Sequence, residues 1–139
     1  MSVVCVIQAR MSSTRLPGKV LMDVQGKPML QLELERVKRS TTLDKVVIAT
    51  STDPSDDAIW DFCESIQQPC FRGSLHDVMD RYCQAAKANN ANIVVRVTGD
   101  CPLIDYRVID ECVNKLKLGG CDLVGNHVYP TWPDGLDVE

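Results

Sequence analysis

The start of the chain constrains its fold most, because a short apolar run there turns abruptly into a polar loop. Residues 3–7 are Val-Val-Cys-Val-Ile, and the loop that follows carries Arg10, Arg15 and Lys19. A run of this kind, rich in β-branched residues, predicts a strand buried on both faces, as in a parallel sheet. Open α/β sheets bind ligands at the carboxyl ends of such strands. The loop after residue 7 is therefore the first candidate binding site.

The composition of this loop predicts that it holds an anion. Ser12, Ser13 and Thr14 are small hydroxyl residues, and Pro17-Gly18 follows them. Small residues let backbone N–H groups approach an anion closely, while the cations supply positive charge. Arg grips phosphate through paired hydrogen bonds, and Lys acts as a point charge. The pattern favours a polyphosphate-binding loop, although a solvated surface loop could carry the same charges. It has neither the P-loop nor the dinucleotide-fold glycine spacing.

Apolar runs and helical patterns alternate along the rest of the chain. This alternation predicts one domain over residues 1–139 with a three-layer α/β/α, Rossmann-like fold and a mostly parallel sheet. Crossover connections of this kind are right-handed. The predicted strands are residues 3–7, 45–50, 70–72, 93–97 and 121–124, and the predicted helices are residues 28–37, 56–66, 76–90 and 106–118.

Two of the predicted helices have a recognisable apolar stripe. In the first, the stripe is Met29, Leu30, Leu32, Leu34 and Val37, which leaves Glu33 for the solvent face. In the third, the residues predicted to point inward are Val78, Met79, Tyr82, Cys83 and Ala86.

Composition narrows the class of protein. Apolar residues make up 45% of the 139 residues and charged residues 24%, which is ordinary for a globular protein. The longest apolar stretch is far shorter than the ~20 residues that span a membrane, so we expect a cytoplasmic protein with no membrane partner. The seven cysteines form no C-x-x-C pair, which favours reduced thiols over a zinc site or a disulfide framework.

Charge is distributed unevenly along the chain. Residues 1–39 carry seven Lys and Arg against three Asp and Glu, whereas residues 40–139 carry eight against sixteen. A basic first segment on an acidic chain fits a local site for a small anion. Nucleic-acid binding would require a broad basic face with stacking aromatics, and aromatics make up only 5% of the chain. We therefore expect no nucleic-acid partner.

A second group of candidate residues follows the fourth predicted strand, in the sequence Thr98-Gly99-Asp100. Asp100 would lie at the same edge of the sheet as the first loop. Mg²⁺ binds proteins through one or two carboxylates and takes its other ligands from phosphate and water. Asp100 is therefore a candidate metal ligand, although an Asp in a turn often bonds only to its own backbone.

Two further stretches carry candidate residues at a strand end and in the tail. Arg72 and Ser74 end the third predicted strand, and Asp77 follows them as either a ligand contact or a helix cap. Asp137 and Glu139 alternate as they would on a strand with one wet face, and their carboxylates could equally bind sugar hydroxyls.

The segment QARMSSTRLPGKVL resembles the N-terminal signature of the cytidylyltransferases that activate sugars and sugar acids. That family includes the CMP-KDO and CMP-sialate synthetases and the SpsF-type proteins of spore coat polysaccharide biosynthesis. The stretch from Arg72 to Tyr82 resembles the R-G-S-x-x-D-V-x-x-R-Y pattern of the SpsF type. The tail, with Gly135-Leu-Asp137-Val-Glu139, resembles its P-x-G-x-D-V-E pattern.

This resemblance implies a GT-A-like nucleotidyltransferase fold whose first four strands lie in the order 3-2-1-4. It implies transfer of CMP from CTP to a sugar or sugar acid, with release of pyrophosphate and with Mg²⁺ on Asp100. The implied catalytic residues are Arg10, Arg15 and Lys19. The implied nucleotide-binding residues also include Gln8, Ala9, Ser12, Ser13, Arg72 and Ser74, and the implied substrate-binding residues are Asp77, Asp137 and Glu139.

The family pattern continues beyond the point where this chain ends, so we expect a chain that lacks the C-terminal part of the fold. The family also implies a homodimer. The sequence leaves two alternative functions open. The chain could be a nucleotide-binding fragment without turnover, or a sugar nucleotidyltransferase that uses another nucleoside triphosphate.

Overall fold

The fold is built on a parallel sheet whose central strand is the apolar run at the start of the chain. The computed structural model describes residues 1–129 and 131–139, in which the chain forms six strands and four α-helices. The strands are β1 (Val3–Gln8), β2 (Asp23–Val24), β3 (Lys27–Pro28), β4 (Lys45–Ser51), β5 (Cys70–Gly73) and β6 (Ile93–Thr98). The helices are α1 (Met29–Val37), α2 (Asp57–Ser65), α3 (Val78–Ala88) and α4 (Tyr106–Lys117).

Four of these strands form one sheet in the order β5-β4-β1-β6, and all their pairings are parallel. This order is the predicted 3-2-1-4 arrangement, which is therefore confirmed. The strand β1 has a neighbour on each side, and its residues 3–7 are fully buried, with side chains in the core clusters on both faces of the sheet. The short strands β2 and β3 form a separate antiparallel hairpin between the first loop and α1.

Helices cover both faces of the sheet, so the α/β/α layering is also confirmed. Helices α1, α2 and α4 contribute apolar side chains to one core cluster, which includes Leu34, Ile59 and Ile109. On the other face, Tyr82 and Ala85 of α3 pack against β1 and β4. No helix within the described residues is long and apolar enough to cross a membrane.

The predicted helix faces were wrong at two places where a polar residue occupies an inward position. Glu33, predicted for the solvent face, is fully buried on α1 beside Leu34. On α3, Arg81 and Ala85 are buried, whereas Met79 and Cys83, predicted inward, are exposed. The inward stripe of each helix includes a charged residue, and an apolar pattern alone cannot reveal that.

The fifth predicted strand, residues 121–124, was also wrong, because this segment has irregular backbone. Leu123 is largely exposed, and so is Cys121. The outer edge of β6 is instead met by the chain's last residue. The N–H of Arg96 donates to the C=O of Glu139 at 2.7 Å, and the N–H of Glu139 donates back at 3.3 Å.

Candidate nucleotide site

A polar cavity of about 440 Å³ lies at the carboxyl ends of β1 and β6. Its volume is in the range typical of small-ligand sites. It brings together the first loop and the segment after β6, as predicted from the parallel sheet. The lining residues are Gln8, Ala9, Arg10, Ser13, Arg15, Lys19, Val20, Thr98, Gly99 and Asp100.

Gly99 lets the two halves of this cavity approach each other. Its N–H donates to the C=O of Gln8 at 2.7 Å. A Cβ at position 99 would lie 2.6 Å from that carbonyl oxygen and 3.0 Å from the Cβ of Ala9. These contacts are closer than non-bonded atoms tolerate, so only glycine fits without displacing the segment. The backbone of β1 therefore runs directly against the turn that carries Asp100.

Lys19 and Asp100 pair across the cavity. Lys19 Nζ lies 3.2 Å from Asp100 Oδ2, and both side chains are partly exposed. Lys19 begins a short 3₁₀ turn, Lys19–Leu21, after Gly18, whose positive φ of 72° favours glycine. The partial burial of Asp100 raises the pKa of its carboxyl, but hydrogen bonds with Thr98 and Lys19 outweigh it and hold the pKa below its usual value. Asp100 is therefore a carboxylate near neutral pH.

The donor set fits Mg²⁺ of the kind that binds together with a polyphosphate. Within the described residues no three His, Cys, Asp or Glu side chains cluster to form a metal cage of protein ligands alone. Asp100 offers one ionised carboxylate beside Arg10, Arg15 and Lys19, which are positioned to bind an anion. One carboxylate plus phosphate oxygens and water is a common coordination set for Mg²⁺.

Glu33 lies behind Asp100 and is a residue that sequence reasoning placed wrongly. Its Oε2 accepts the N–H of Cys101 at 3.2 Å, and its Oε1 has no partner among the described residues. Burial is the main cause that raises the pKa of Glu33 to about 8, and the hydrogen bond from Cys101 opposes it. One feature of the sequence could have predicted the burial of Glu33: it follows Leu30 by three residues, which places both on the inward side of α1.

Two other buried charges below the first loop were also missed. Asp56, fully buried at the end of a 3₁₀ turn (Pro54–Asp56), accepts the N–H of Met11 at 2.7 Å. Arg81 is fully buried as well, and its Nη2 donates to the C=O of Leu75 at 3.3 Å. Arg81 is a fixed position of the pattern that the stretch from Arg72 to Tyr82 resembles, but that pattern did not show its burial, and the Met11 partner of Asp56 lies 45 residues away.

Arg72 and its neighbours lie outside the cavity lining. The guanidinium of Arg72 donates to the C=O of Ser51 at 2.7 Å and of Asp53 at 3.0 Å, and it pairs with Asp57 at 2.7 Å. Ser74 Oγ accepts the N–H of Asp77 at 3.0 Å, and Asp77 in turn caps α3 through the N–H of Asp80. The Asp77 cap is one of the two roles that the sequence left open.

The remaining predicted residues are spread around the site. Ser12 is exposed on the first loop and does not line the cavity. Glu139 pairs with Arg96 Nη1 at 2.7 Å, on the outer side of β6. Asp137 is exposed and lies near Cys101. The pKa of the Cys101 thiol is raised, mainly by burial, and the negative charges of Asp100 and Asp137 add to this rise.

A larger cavity of about 770 Å³ lies between α4 and the tail, away from these charges. Apolar side chains, including Val128 and Trp132, make up most of its lining. Among the described residues, its lining carries two lysines, Lys115 and Lys117, beside Glu111, but no arginine and no partly buried aspartate facing them. The chemistry of an anion site therefore favours the cavity at the ends of β1 and β6, in spite of its smaller volume.

The parallel α/β/α sheet, with a cation-lined cavity at its strand ends, places the protein among the Rossmann-like α/β proteins that bind ligands at this edge of the sheet. The model of the family described as cytidylyltransferase matches residues 4–130. The chain belongs to the cytidylyltransferase family.

Individual relatives agree with this assignment. The Bacillus subtilis spore coat polysaccharide biosynthesis protein SpsF is 38% identical over 112 residues, which cover 78% of this chain and 47% of SpsF. The 3-deoxy-manno-octulosonate cytidylyltransferase of Geobacter sulfurreducens is 38% identical over 117 residues, covering 84% of this chain and 46% of that enzyme. The chain thus spans about half the length of these relatives.

A solved structure shares the fold over nearly the whole chain. A cytidylyltransferase from Leptospira borgpetersenii superposes with a TM-score of 0.93 at 38% sequence identity. The match covers 99% of this chain and 59% of that one.

Proposed function

We propose that this chain supplies the nucleotide-binding part of a cytidylyltransferase that transfers CMP from CTP to a sugar or sugar acid, releasing pyrophosphate. The observation that carries the proposal is the convergence of Arg10, Arg15, Lys19 and Asp100 on one cavity at the ends of β1 and β6. Family membership and the names of the relatives support the nucleotide and the class of acceptor.

The reaction needs positioning and charge stabilisation more than covalent help from the protein. The acceptor hydroxyl attacks the α-phosphorus, and the bond to the pyrophosphate breaks in line. Arg10, Arg15 and Lys19 bind the triphosphate and stabilise the negative charge of the departing pyrophosphate. The backbone of Gln8 and Ala9, which line the cavity at the end of β1, is placed to contact the base.

Asp100 is the residue that would hold Mg²⁺. When bound there, the ion would supply positive charge to the phosphate oxygens. In the structure Lys19 pairs with Asp100, so the same cation can turn to the phosphates when a nucleotide arrives.

The proposal is tested by measuring pyrophosphate release from CTP in the presence of 3-deoxy-manno-octulosonate and other sugar acids. We expect release that requires CTP, an acceptor and Mg²⁺, with UTP as the matched control nucleotide. CTP binding without turnover for any acceptor would reduce the function to nucleotide binding. Turnover with UTP or ATP in place of CTP would overturn the cytidylyl assignment.

A further inference from the structure

The cation-bearing loop is organised around the backbone of one residue, Met11. The C=O of Met11 accepts the N–H of Ser13 at 2.9 Å and the N–H of Gly18 at 2.8 Å, which closes the loop on itself. The Met11 side chain packs partly buried against the main core. Whatever fixes Met11 therefore fixes the loop that carries Arg15 and leads into Lys19.

The N–H of Met11 is fixed from outside the loop, by Asp56. Asp56 Oδ1 accepts it at 2.7 Å across a sequence separation of 45 residues. The other carboxylate oxygen accepts the side-chain hydroxyl of Ser51 and, at 3.3 Å, its N–H. Asp56 is fully buried, so solvent does not compete for these bonds. A charge-assisted bond to a backbone N–H in such a place is strong and directional.

A buried cation lies close to this carboxylate. Arg81 is fully buried, and its Nε and Nη1 have no hydrogen-bond partner within residues 1–129 and 131–139. Burial lowers the pKa of Arg81, as does the nearby charge of Arg10, while Asp56 opposes that change. Arg81 therefore places a positive charge near the Asp56 carboxylate.

The geometry points to Asp56 as the positioning residue of the triphosphate loop. Asp56 does not line the cavity, but it holds the backbone of the loop that carries Arg10 and Arg15. The inference rests on the proposed function for its ligand. Its structural part, the ordering of residues 10–18, can be measured without any nucleotide.

The test compares Asp56→Ala with Asp53→Ala. Asp53 caps the same 3₁₀ turn through Ser55, but its side chain makes no bond to the loop, so it is a matched control. The readout is trypsin cleavage of the folded protein at Arg10–Met11 and Arg15–Leu16. The first of these peptide bonds contains the N–H that Asp56 holds. We expect Asp56→Ala to be cut about tenfold faster or more, with Asp53→Ala close to wild type.

Nucleotide affinity provides the second readout, corrected for the folded fraction measured by circular dichroism. We expect Asp56→Ala to weaken CTP binding about tenfold. Asp56→Asn should restore both readouts in part, because its amide oxygen can still accept the Met11 N–H, whereas its NH2 group cannot accept the Ser51 N–H. Where Asp56→Ala does not fold, Asp56→Glu replaces it, since the longer side chain moves the carboxylate away from Met11.

Equal cleavage of Asp56→Ala and Asp53→Ala would overturn the inference, as would unchanged CTP affinity per folded molecule. Should the wild type bind no CTP, the proposed function fails, while the cleavage comparison still decides the role of Asp56. The inference would also be contradicted if Asp56→Asn were cleaved as fast as Asp56→Ala.

Discussion

At residue scale, Lys19 and Asp100 are oppositely charged partners that both line the cavity, and the proposed function gives them a role in binding more than in stability. Both side chains are partly exposed, and an exposed pair of this kind contributes little to folding. A cation aimed at a triphosphate contributes more, because it meets a concentrated negative charge.

Replacing Lys19 with Ala should therefore affect affinity far more than stability. We expect CTP binding to weaken about 10- to 100-fold, while the free energy of unfolding falls by less than about 1 kcal/mol. Titration calorimetry and urea unfolding measure the two effects. Lys27→Ala is the control, since it breaks the exposed Lys27–Glu35 pair outside the cavity. A fall in stability with unchanged affinity per folded molecule would make Lys19 structural.

Glu33 gives the stability of the protein a specific pH dependence. The pKa of Glu33 is about 8 in the folded chain against an ordinary value of 4.5, so the native state holds this proton more tightly than the unfolded state. The favourable contribution is complete below pH 4.5 and declines as the pH rises toward 8, by roughly 1.4 kcal/mol per pH unit.

Glu33→Gln should remove that decline. Between pH 5.5 and 7.5 we expect wild type to lose about 2 to 3 kcal/mol of unfolding free energy relative to Glu33→Gln, as measured by urea unfolding at both pH values. Glu35→Gln is the control on the same helix, because Glu35 is exposed and the pKa of its carboxyl is lowered, chiefly by the hydrogen bond from Lys27. Parallel pH profiles for wild type and Glu33→Gln would show that Glu33 is ionised in the native state.

At the scale of elements, the site depends on how tightly the end of β1 packs against the turn after β6. The contact is made by Gly99 against the backbone of Gln8. Gln8 belongs to the central strand of the sheet, so its backbone cannot move away from Gly99. The spacing between Lys19 and Asp100 follows from this contact. A single added methyl group should therefore disturb the ligand site as well as the packing.

Gly99→Ala should lower stability by about 1–3 kcal/mol and abolish Mg²⁺-dependent CTP binding. Gly120→Ala is the control: its positive φ of 89° strains an alanine by about 1–2 kcal/mol, but a Cβ there meets open space away from the cavity. Thermal unfolding and calorimetry together separate the two effects. CTP affinity in Gly99→Ala equal to that in Gly120→Ala would contradict the role assigned to Gly99.

The elements also show what a sequence can predict. The strands β1 and β4 were predictable because they are apolar, β-branched runs buried on both faces. The strand β5 has no β-branched residue and is only partly buried, so its signal was weaker. The faces of α1 and α3 were not predictable, since Glu33 and Arg81 occupy inward positions. Their role depends on contacts such as the N–H of Cys101, which lies 68 residues from Glu33. The strand predicted at residues 121–124 was wrong for a similar reason. The residue that meets the edge of β6 at Arg96 is Glu139, and a local pattern does not reveal that contact.

At the scale of the whole molecule, an acidic protein concentrates its basic residues where a polyphosphate would lie. The chain carries a net charge of −4, yet Arg10, Arg15 and Lys19 all line one cavity. The three cations share the loop after β1, and the parallel topology brings Asp100 to them, because the ends of β1 and β6 lie at the same edge of the sheet. The loop and Asp100 could thus be placed together from sequence, whereas the supports beneath them, Asp56 and Arg81, could not.

The central claim is that this cavity binds CTP with Mg²⁺ on Asp100. Calorimetric titration of the chain with CTP, in Mg²⁺ and in EDTA, tests it most directly, with ATP, GTP and UTP alongside and Asp100→Asn as the paired variant. We predict selective CTP binding that requires Mg²⁺ in wild type and loses that requirement, together with most of its affinity, in Asp100→Asn. Absence of binding by the folded chain, or equal binding in EDTA and in Asp100→Asn, would contradict the account.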